Sequence, residues 1–242
     1  ELLMLMMHIP LKDSEQPRKP SSGHNRLFRL IEKRPYTMSI SGHTHWHAHM
    51  YLDGKDGWKG EKPHHHVVNV TVCGSWWKGE PDELGIPHSL GRDGAPRGYS
   101  TITFDGTRAV VDFKASRRPA DYQLRIEAPS VVKPGTEEVT VHANVFNGSR
   151  HSKVRMRLGE DGQWITLQKT VEPDPDFLAL KKREESRGDK LEGSTLPGAV
   201  PSHHLWKATL PVKDLTGVHR LWVQTEDMYG RTYDASHVIR IE

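Results

Sequence analysis

The sequence predicts two parts, an α/β part over residues 1–118 and an all-β part over residues 119–242. In the first part, apolar strand-like runs flank one helical pattern, and this order is typical of a strand–helix–strand unit. The second part consists of short stretches that alternate apolar and polar residues between turn signals. The pattern changes at Arg117-Arg118-Pro119, and 242 residues leave room for two domains of ordinary size.

Composition and charge exclude several classes of protein. With 27% charged and 35% hydrophobic residues the chain is globular, and a net charge of +3 does not indicate a nucleic-acid-binding surface. No apolar run approaches the ~20 residues that a membrane-spanning helix needs. The single cysteine, Cys73, excludes an intrachain disulfide and a cysteine-rich zinc site. Sixteen histidines are an unusual number for this length.

The first residues have the pattern of a buried strand in the middle of a domain. Leu2 to Met7 is an unbroken apolar run, typical of a buried parallel strand, and Pro10 keeps that strand from continuing. The run has neither the basic flank nor the small-residue cleavage site of a signal peptide. We therefore expect the chain to be a fragment of a longer protein.

A short helix and a second strand follow. Leu27, Leu30 and Ile31 have helical spacing, and Ser21 or Ser22 is the expected N-cap. The apolar run over residues 36–40 then predicts a buried strand. A crossover of this kind returns the second strand beside the first, with their carboxyl ends at one edge of the sheet.

Histidines lie at both of those strand ends. His8 follows the first strand, and Gly42-His43-Thr44-His45 follows the second. In extended backbone His43 and His45 project to the same side about 6.6 Å apart, so they can bind one ion or two adjacent ions. If the strand stayed extended, His47 and His49 would share that face, either as further ligands or as polar neighbours of the ligands. Three further histidines, residues 64–66, are expected in a solvated loop, and a β-branched strand is expected over residues 67–72. Alternating strands over residues 101–104 and 109–113, with Asp105-Gly106 between them, are expected to form a hairpin.

These motifs resemble a known family. Gly42-His43-Thr44-His45 after a buried strand resembles the last metal-binding block of the calcineurin-like metallophosphoesterases. The region that follows is similar to a bacterial branch of that family with an extra C-terminal domain. The residues of this second similarity are Cys73-Gly-Ser-Trp-Trp77, Gly85-Ile-Pro87, Asp93-Gly-Ala-Pro96, Gly98-Tyr99 and Phe104-Asp-Gly106.

The resemblance implies a fold, a reaction and a set of ligands. Residues 1–118 would be the C-terminal part of the catalytic α/β sandwich, and the parent enzyme would hydrolyse a phosphomonoester or phosphodiester with two divalent ions, Mn, Fe or Zn. The ions would polarise a phosphoryl oxygen and activate a bridging water as hydroxide. His8 and His43 would serve one ion and His45 the other. Members of this branch are often exported, so a periplasmic or extracellular location is expected.

The chain departs from the family in its acidic ligands. The upstream blocks Asp-x-His, Gly-Asp-x-x-Asp and Gly-Asn-His do not occur in the sequence. Three neutral imidazoles cannot offset two dications, since a two-metal centre relies on carboxylates for that charge. We therefore expect these 242 residues alone to bind metal weakly and to be inactive.

A long irregular loop over residues 79–99 would cover the metal centre in that branch. Such loops are usually functional when they are ordered, and arginine suits bidentate phosphate binding. Paired tryptophans after a strand also commonly pack on a sheet, so both interpretations stay open. The candidate substrate contacts are Trp76, Trp77, Arg92, Arg97 and Tyr99.

The strand pattern of the second part predicts an immunoglobulin- or fibronectin-like β-sandwich. About seven strands are expected, one of them over residues 164–171, with a charged insertion over residues 172–202 between them. The one helix-like piece, residues 177–186, is expected to be a surface excursion. His203 and His204 are expected on the surface.

A second hypothesis belongs to another class of protein. The β-sandwich could be a non-catalytic binding module for a glycan or a protein, and the histidine-rich part a structural or mononuclear zinc site. A transition-metal store is a third possibility. The sequence does not determine the substrate or the oligomeric state.

Overall fold

The computed structural model describes residues 1–12, 14, 21–69, 72–187 and 195–242. These ranges are mostly β-sheet and contain two α-helices, neither of which has the length and apolar character needed to cross a bilayer. The same ranges form four sheets, of two, four, four and five strands.

The first part contains a four-stranded sheet, in the order β1-β2-β4-β3, and a two-stranded hairpin. Its elements are β1 (Leu3–Met6), α1 (Ser22–Ile31), β2 (Thr37–Ser41), β3 (Ala48–Leu52), a 3-10 turn (Gly54–Asp56), β4 (His64–Val68), β5 (Gly98–Asp105) and β6 (Arg108–Ala115). The predicted crossover is confirmed, because β1 and β2 pair in parallel with α1 between them in the chain. The hairpin turn after Asp105-Gly106 is also where the sequence predicts it.

Helix α1 begins where its cap predicts. The Ser21 hydroxyl accepts the backbone N–H of His24, which satisfies one of the unpaired donors of the first turn. The buried side chains are Phe28 and Ile31, whereas Leu30 is 70% exposed. The spacing therefore predicted the helix correctly but misplaced its buried face by part of a turn.

Strand alternation gives the four-stranded sheet two different faces. Phe28 and Ile31 of α1 pack on one face together with Leu52 and Trp58. On the opposite face Met38 packs against residues of the β5–β6 hairpin. Both faces are therefore covered, as is usual for a sheet with parallel strands.

The prediction of a solvated loop over residues 64–66 is wrong. His64 and His66 are fully buried in β4, which pairs in parallel with β2 and antiparallel with β3. A run of three histidines has no apolar signal, so hydrophobicity alone does not predict the strand. The predicted strand over residues 67–72 correspondingly begins earlier, and residues 70 and 71 lie outside the described ranges.

The second part has two sheets that enclose one core. The elements are β7 (Leu124–Glu127), β8 (Val131–Val132), β9 (Glu138–Val145), β10 (Lys153–Leu158), β11 (Ile165–Thr166), β12 (Gln168–Thr170), α2 (Pro175–Ser186), β13 (Leu205–Pro211), β14 (Gly217–Glu226) and β15 (Thr232–Ile241). The sheet orders are β11-β10-β14-β15-β8 and β12-β13-β9-β7. Their inner faces share one cluster of buried side chains, for example Val141, Met156 and Leu221.

One strand prediction needs correction, and one short strand was not predicted. The stretch over residues 164–171 is not one strand, because the chain leaves β10 after β11 and joins β13 as β12. The switch occurs at buried Leu167, whose N–H donates to the carbonyl of Val154 at 2.9 Å. The two-residue strand β8 is too short to leave a pattern.

The expectation that residues 177–186 form a surface excursion is wrong. Asp174 caps α2 by accepting the N–H of Phe177 at 2.9 Å. Phe177 and Leu180 are buried against Leu90 and Leu196, one from each of two distant segments. Helix α2 thus attaches the loop of residues 79–99 to the second part.

Direct hydrogen bonds join the two parts elsewhere. Asn147 accepts from His49 Nε2 at 2.8 Å and donates to the carbonyl of Val111 at 2.8 Å. The N–H of Val111 donates to the hydroxyl of Tyr229 at 2.9 Å. The second part therefore contacts both the four-stranded sheet and its hairpin.

Candidate metal centre

Two of the predicted ligands meet at the carboxyl edge of the sheet. His8 follows β1 and His43 follows β2, and His8 Nε2 lies 2.9 Å from His43 Nδ1. The two rings are edge to face, with centroids 4.7 Å apart, and both residues are exposed. The N–H of Gly42 donates to the carbonyl of His8 at 3.2 Å and keeps the two strand ends together.

The backbone between β2 and β3 is a turn, so the expectation of extended backbone through His49 is wrong. β2 ends at Ser41, and β3 begins at Ala48. His43 and His45 have φ of 70° and 59°, the left-handed region that costs a non-glycine residue about 1–2 kcal/mol. Such strain persists only where surrounding contacts fix the chain, and it is common at functional sites.

His45 is held separately from that pair. Its Nδ1–H donates to the carbonyl of Gly74 at 2.5 Å, and its ring stacks on Trp76 with centroids 3.8 Å apart. Since a carbonyl oxygen can only accept, Nδ1 carries the hydrogen of this bond, and in a neutral ring the lone pair would then be on Nε2. Histidines that bind metal commonly donate their other ring N–H to a carbonyl in this way.

His8 and His43 are hydrogen-bonded to each other, with 2.9 Å between Nε2 and Nδ1. Two nitrogens bound at about 2.0–2.1 Å to one tetrahedral zinc ion lie about 3.3 Å apart, so an ion shared by these rings would replace that hydrogen bond and separate the two nitrogens slightly. Across the described ranges, no cluster of three or more His, Cys, Asp or Glu side chains is arranged to hold a metal. The pair supplies two donors, and a complete coordination shell requires others. Metal binding by His8, His43 and His45 stays a prediction.

A neighbouring loop holds the turn in place. The N–H of Arg92 donates to the carbonyl of His45 at 2.9 Å. The N–H of His47 donates to Asp93 Oδ2 at 2.6 Å, and Asp93 is fully buried. The conformation of the histidine turn therefore depends on where residues 91–95 lie.

The second part fixes that loop. Asp93 Oδ2 also accepts from His204 Nε2 at 2.8 Å, and neither side chain is exposed to solvent. Arg125 donates to the carbonyl of Gly94 at 3.2 Å and to Asp174 at 2.8 Å. A buried carboxylate is costly unless donors surround it, so His204 and the backbone N–H groups stabilise Asp93 where it lies.

The expectation that His203 and His204 lie on the surface is wrong, since they are 7% and 0% exposed. Asp93, which bonds to the His204 side chain, and Trp46, whose ring lies beside His203, are more than 100 residues away in the chain, so no local pattern predicts these contacts. The ring of Trp46 lies 5.2 Å from that of His203, so both histidines face the turn region from the second part.

His47 and His49 are buried on the far side of the turn. Burial, and then the neighbouring His49, lower the pKa of His47 well below its ordinary value. Burial lowers the pKa of His49 to about 4, although its bond to Asn147 opposes the shift. Both rings are therefore neutral at pH 7 and belong to the contact between the two parts.

The predicted substrate contacts fall into two groups. Trp76, Trp77 and Tyr99 are about half exposed, and Trp76 covers His45. Arg92 is half-buried and donates to the carbonyl of Gly198 at 3.0 Å.

Arg97 differs from the other candidates because it is 6% exposed. It pairs with Asp82 at 2.9 Å and donates to the carbonyls of Pro87 and His88. Arg97 is therefore buried within the loop of residues 79–99 and stabilises its conformation.

A chain of hydrogen bonds between hydroxyls and imidazoles runs between β2 and β4. His66 Nδ1 bonds to Ser39 Oγ, Ser39 Oγ to His64 Nε2, and His64 Nδ1 to Thr37 Oγ1, each at 2.7 Å. At its upper end the N–H of Leu11 donates to His66 Nε2 at 3.2 Å. This chain of hydrogen bonds runs from Thr37, at the start of β2, toward the edge of the sheet where His8 and His43 meet.

One backbone N–H determines the direction of the whole chain. Because Leu11 donates to Nε2, neutral His66 carries its proton on Nδ1 and donates to Ser39. Ser39 then donates to His64 Nε2, and His64 donates from Nδ1 to Thr37. Burial lowers the pKa to about 4 for His64 and to about 3 for His66, so both rings are neutral in this arrangement.

Sequence reasoning missed this chain and the Asp93–His204 pair. A signal for the chain was present, because polar residues alternate at Thr37, Ser39 and Ser41 inside an apolar strand, and His64 and His66 have the same period of two. No comparable signal existed for the Asp93–His204 pair, which only the packing of the two parts creates.

Comparisons with known proteins agree with the predicted resemblance. No curated protein matches the chain. A solved structure from Thermotoga maritima, provisionally assigned as a superoxide reductase, is 16% identical. The match covers 49% of this chain and 85% of the chain of that structure, and its TM-score of 0.28 is too low to indicate a shared fold. The family model described as the C terminal of calcineurin-like phosphoesterase matches residues 65–233, well over half of the sequence. The chain therefore belongs to the calcineurin-like phosphoesterase C-terminal family.

Proposed function

We propose that this chain is the C-terminal portion of a metal-dependent phosphoesterase that hydrolyses a phosphomonoester or phosphodiester. The observation that carries the proposal is the contact of His8 with His43 at 2.9 Å, beside the Gly42-His43-Thr44-His45 motif, in a member of this family. Residues 1–118 would be the end of the catalytic α/β sandwich. Residues 119–242 would be an accessory β-sandwich of immunoglobulin or fibronectin type.

The chain's own residues would contribute neutral ligands to two divalent ions, Mn, Fe or Zn. His8 and His43 are suited to share one ion, and the tautomer of His45 leaves its Nε2 lone pair suited to the other. Bound ions of this kind polarise a phosphoryl oxygen and lower the pKa of a coordinated water. Imidazoles add no negative charge, so carboxylate ligands from polypeptide beyond these 242 residues would complete the centre. These residues alone would then be inactive.

The surroundings of the histidine turn suit an ester with an apolar or aromatic group. Trp76, Trp77 and Tyr99 are about half exposed, and Trp76 stacks on His45. Exposed aromatic faces beside charged groups bind the flat or apolar portion of a ligand. Arg92 lies in the same region and would contact the phosphate.

The second part would act by positioning. His204 supports Asp93, Asp93 holds the N–H of His47, and Arg92 holds the carbonyl of His45. Two left-handed histidines would relax without these contacts, since each costs about 1–2 kcal/mol. An accessory domain would thus hold the ligands that belong to the catalytic domain.

Metal binding by the purified chain tests the proposal. We expect weak binding of Zn²⁺ or Co²⁺ by calorimetry, with loss of at least tenfold in affinity in His8→Ala and His43→Ala. His237→Ala, on β15, is the matched control and should bind as the wild type does. Equal affinity in all four proteins would overturn the assignment of ligands. Hydrolysis at enzyme-like rates by these 242 residues alone would overturn the requirement for further carboxylates.

One observation favours the alternative of a binding module with a mononuclear zinc or structural site. Only His8 and His43 are in direct contact among the three predicted ligands in the described ranges. Stoichiometry separates the two functions. One zinc ion per chain that is insensitive to His45→Ala favours the module, and loss of a second, weaker ion in that variant favours the phosphoesterase.

A further inference from the structure

The second part contains a cleft far from the histidine turn along the chain. Its volume is about 560 Å³, within the usual range for small-molecule sites. The cleft opens where β11 leaves one sheet and β12 joins the other, so the two sheets separate at this edge. Its lining includes three buried apolar residues, Val154, Leu167 and Trp206.

The walls of the cleft are strongly cationic. Four cationic side chains and one carboxylate line it, namely Arg150, Lys153, Arg155, Lys169 and Glu226. The carboxylate is engaged by Lys153 at 2.7 Å, an exposed pair that is worth little by itself. A net positive cleft with apolar residues in its lining favours an anionic ligand.

Arg155 is held in place as a binding group would be. Its Nε and Nη2 donate to Gln224 Oε1 at 2.9 and 2.6 Å, and its Cζ lies 4.3 Å from the centre of the Trp164 ring. Gln224 is itself fixed by donating to Asp234 at 2.8 Å. These contacts use two of the five N–H groups of the guanidinium, and the planar fork that remains matches phosphate or sulfate. Such preorganisation lowers the entropic cost of binding.

Neutral polar groups complete the lining. Ser152, Thr166, Gln168 and Thr232 add three hydroxyls and an amide to the lining. Hydroxyls and amides are suited to hydrogen-bond the hydroxyl groups of a sugar, whereas the cationic groups match its charged substituent.

We propose that this cleft binds a small carbohydrate that carries a phosphate or sulfate group. The cationic side chains hold the anionic ester, with Arg155 as the central group, and the hydroxyl and amide side chains hold the sugar. The proposal rests on the cleft alone and is independent of hydrolysis at the histidine turn. It assigns to the β-sheet part a ligand of its own.

Calorimetry of the whole chain at low ionic strength tests the proposal with four probes. Glucose 6-phosphate and glucose 6-sulfate represent the two sources of charge, and inorganic phosphate and glucose represent the halves of the ligand. We expect at least one ester to bind more tightly than inorganic phosphate and glucose alone to bind undetectably. The tighter ester identifies the anion. No binding of either ester, or equal affinity for inorganic phosphate, would overturn the proposal.

Matched variants locate the site. Arg155→Gln/Lys169→Gln should weaken ester binding tenfold or more and flatten its salt dependence. Lys133→Gln/Lys213→Gln removes the same charge outside the cleft and should leave the affinity within twofold. Should the first variant fail to fold, Thr166→Trp fills the cleft from an exposed strand position and should abolish binding without removing charge. Unchanged binding in a folded cleft variant would refute the assigned location.

Discussion

Lowering the pH should destabilise the protein through the hydroxyl–imidazole chain between β2 and β4. The folded-state pKa is about 4 for His64 and about 3 for His66, against an ordinary 6.5, and burial is the main cause. At pH 7.5 both rings are neutral in the folded and unfolded states, so they contribute nothing. As the pH falls below 6.5 only the unfolded chain takes up protons, and the free energy of unfolding decreases.

The magnitude follows from these values. At pH 5 each of the two histidines lowers the free energy of unfolding by about 2 kcal/mol relative to pH 7.5, so together they remove about 4 kcal/mol. That is a large part of the 5–15 kcal/mol typical of a folded domain. His47, His49 and His65 also have lowered pKa values, mainly through burial, so the full slope should be steeper still.

Urea unfolding between pH 7.5 and 5 measures the effect. His64→Gln lowers stability at every pH but removes one titrating group, so its loss between these pH values should be about 2 kcal/mol smaller than in the wild type. Nitrogen-15 NMR should show both imidazoles as the Nδ1–H tautomer at pH 7. Stability that is flat across this range, rings that titrate near 6.5, or the Nε2–H tautomer would each refute the reasoning.

Three substitutions test the packing around the histidine turn. Asp93→Ala leaves three buried donors without their acceptor at about 1–3 kcal/mol each, and urea unfolding should show a loss of about 3–9 kcal/mol. Phe177→Ala empties a fully buried site in α2 and should cost about 3–5 kcal/mol in the same assay, whereas a loss below 1 kcal/mol would mean that α2 does not pack as described. Gly74→Ala would bring a Cβ within 1.5 Å of a backbone carbonyl oxygen at φ +52°, so its melting temperature should fall well below that of Gly85→Ala. The latter has an equally left-handed backbone and no neighbour within 4 Å, and equal melting temperatures would contradict the close approach at Gly74.

Local signals explain which elements were predicted correctly. The cap of α1, the crossover from β1 to β2 and the turn after Asp105-Gly106 all depend on neighbours in sequence. The contact between His8 and His43 followed from topology, because parallel strands joined by a crossover end at one edge. The predictions failed where partners are distant, as for His64 in β4 and the buried face of α2.

The candidate site divides in the same way. The Gly42-His43-Thr44-His45 motif led to the family resemblance, and the order of strands predicted that His43 lies near His8. The motif did not predict the left-handed backbone at His43 and His45, where Arg92 and Asp93 from a distant segment hydrogen-bond to the backbone of His45 and His47. Short motifs identify which side chains are present, whereas hydrogen bonds from other segments decide their orientation.

The sequence by itself predicted the strand–helix–strand order of β1, α1 and β2, the strand edge that carries His8 and His43, and the resemblance to a phosphoesterase family. Only the tertiary structure decided that the second part supports the histidine turn through Asp93 and His204, and that buried histidines hold β4 against β2. The physical reason is that a buried polar side chain is stable only with a partner, and these partners lie far away in the chain. Periodicity describes the face that an element buries, but it carries no information about the hydrogen-bond donor or acceptor that will meet it.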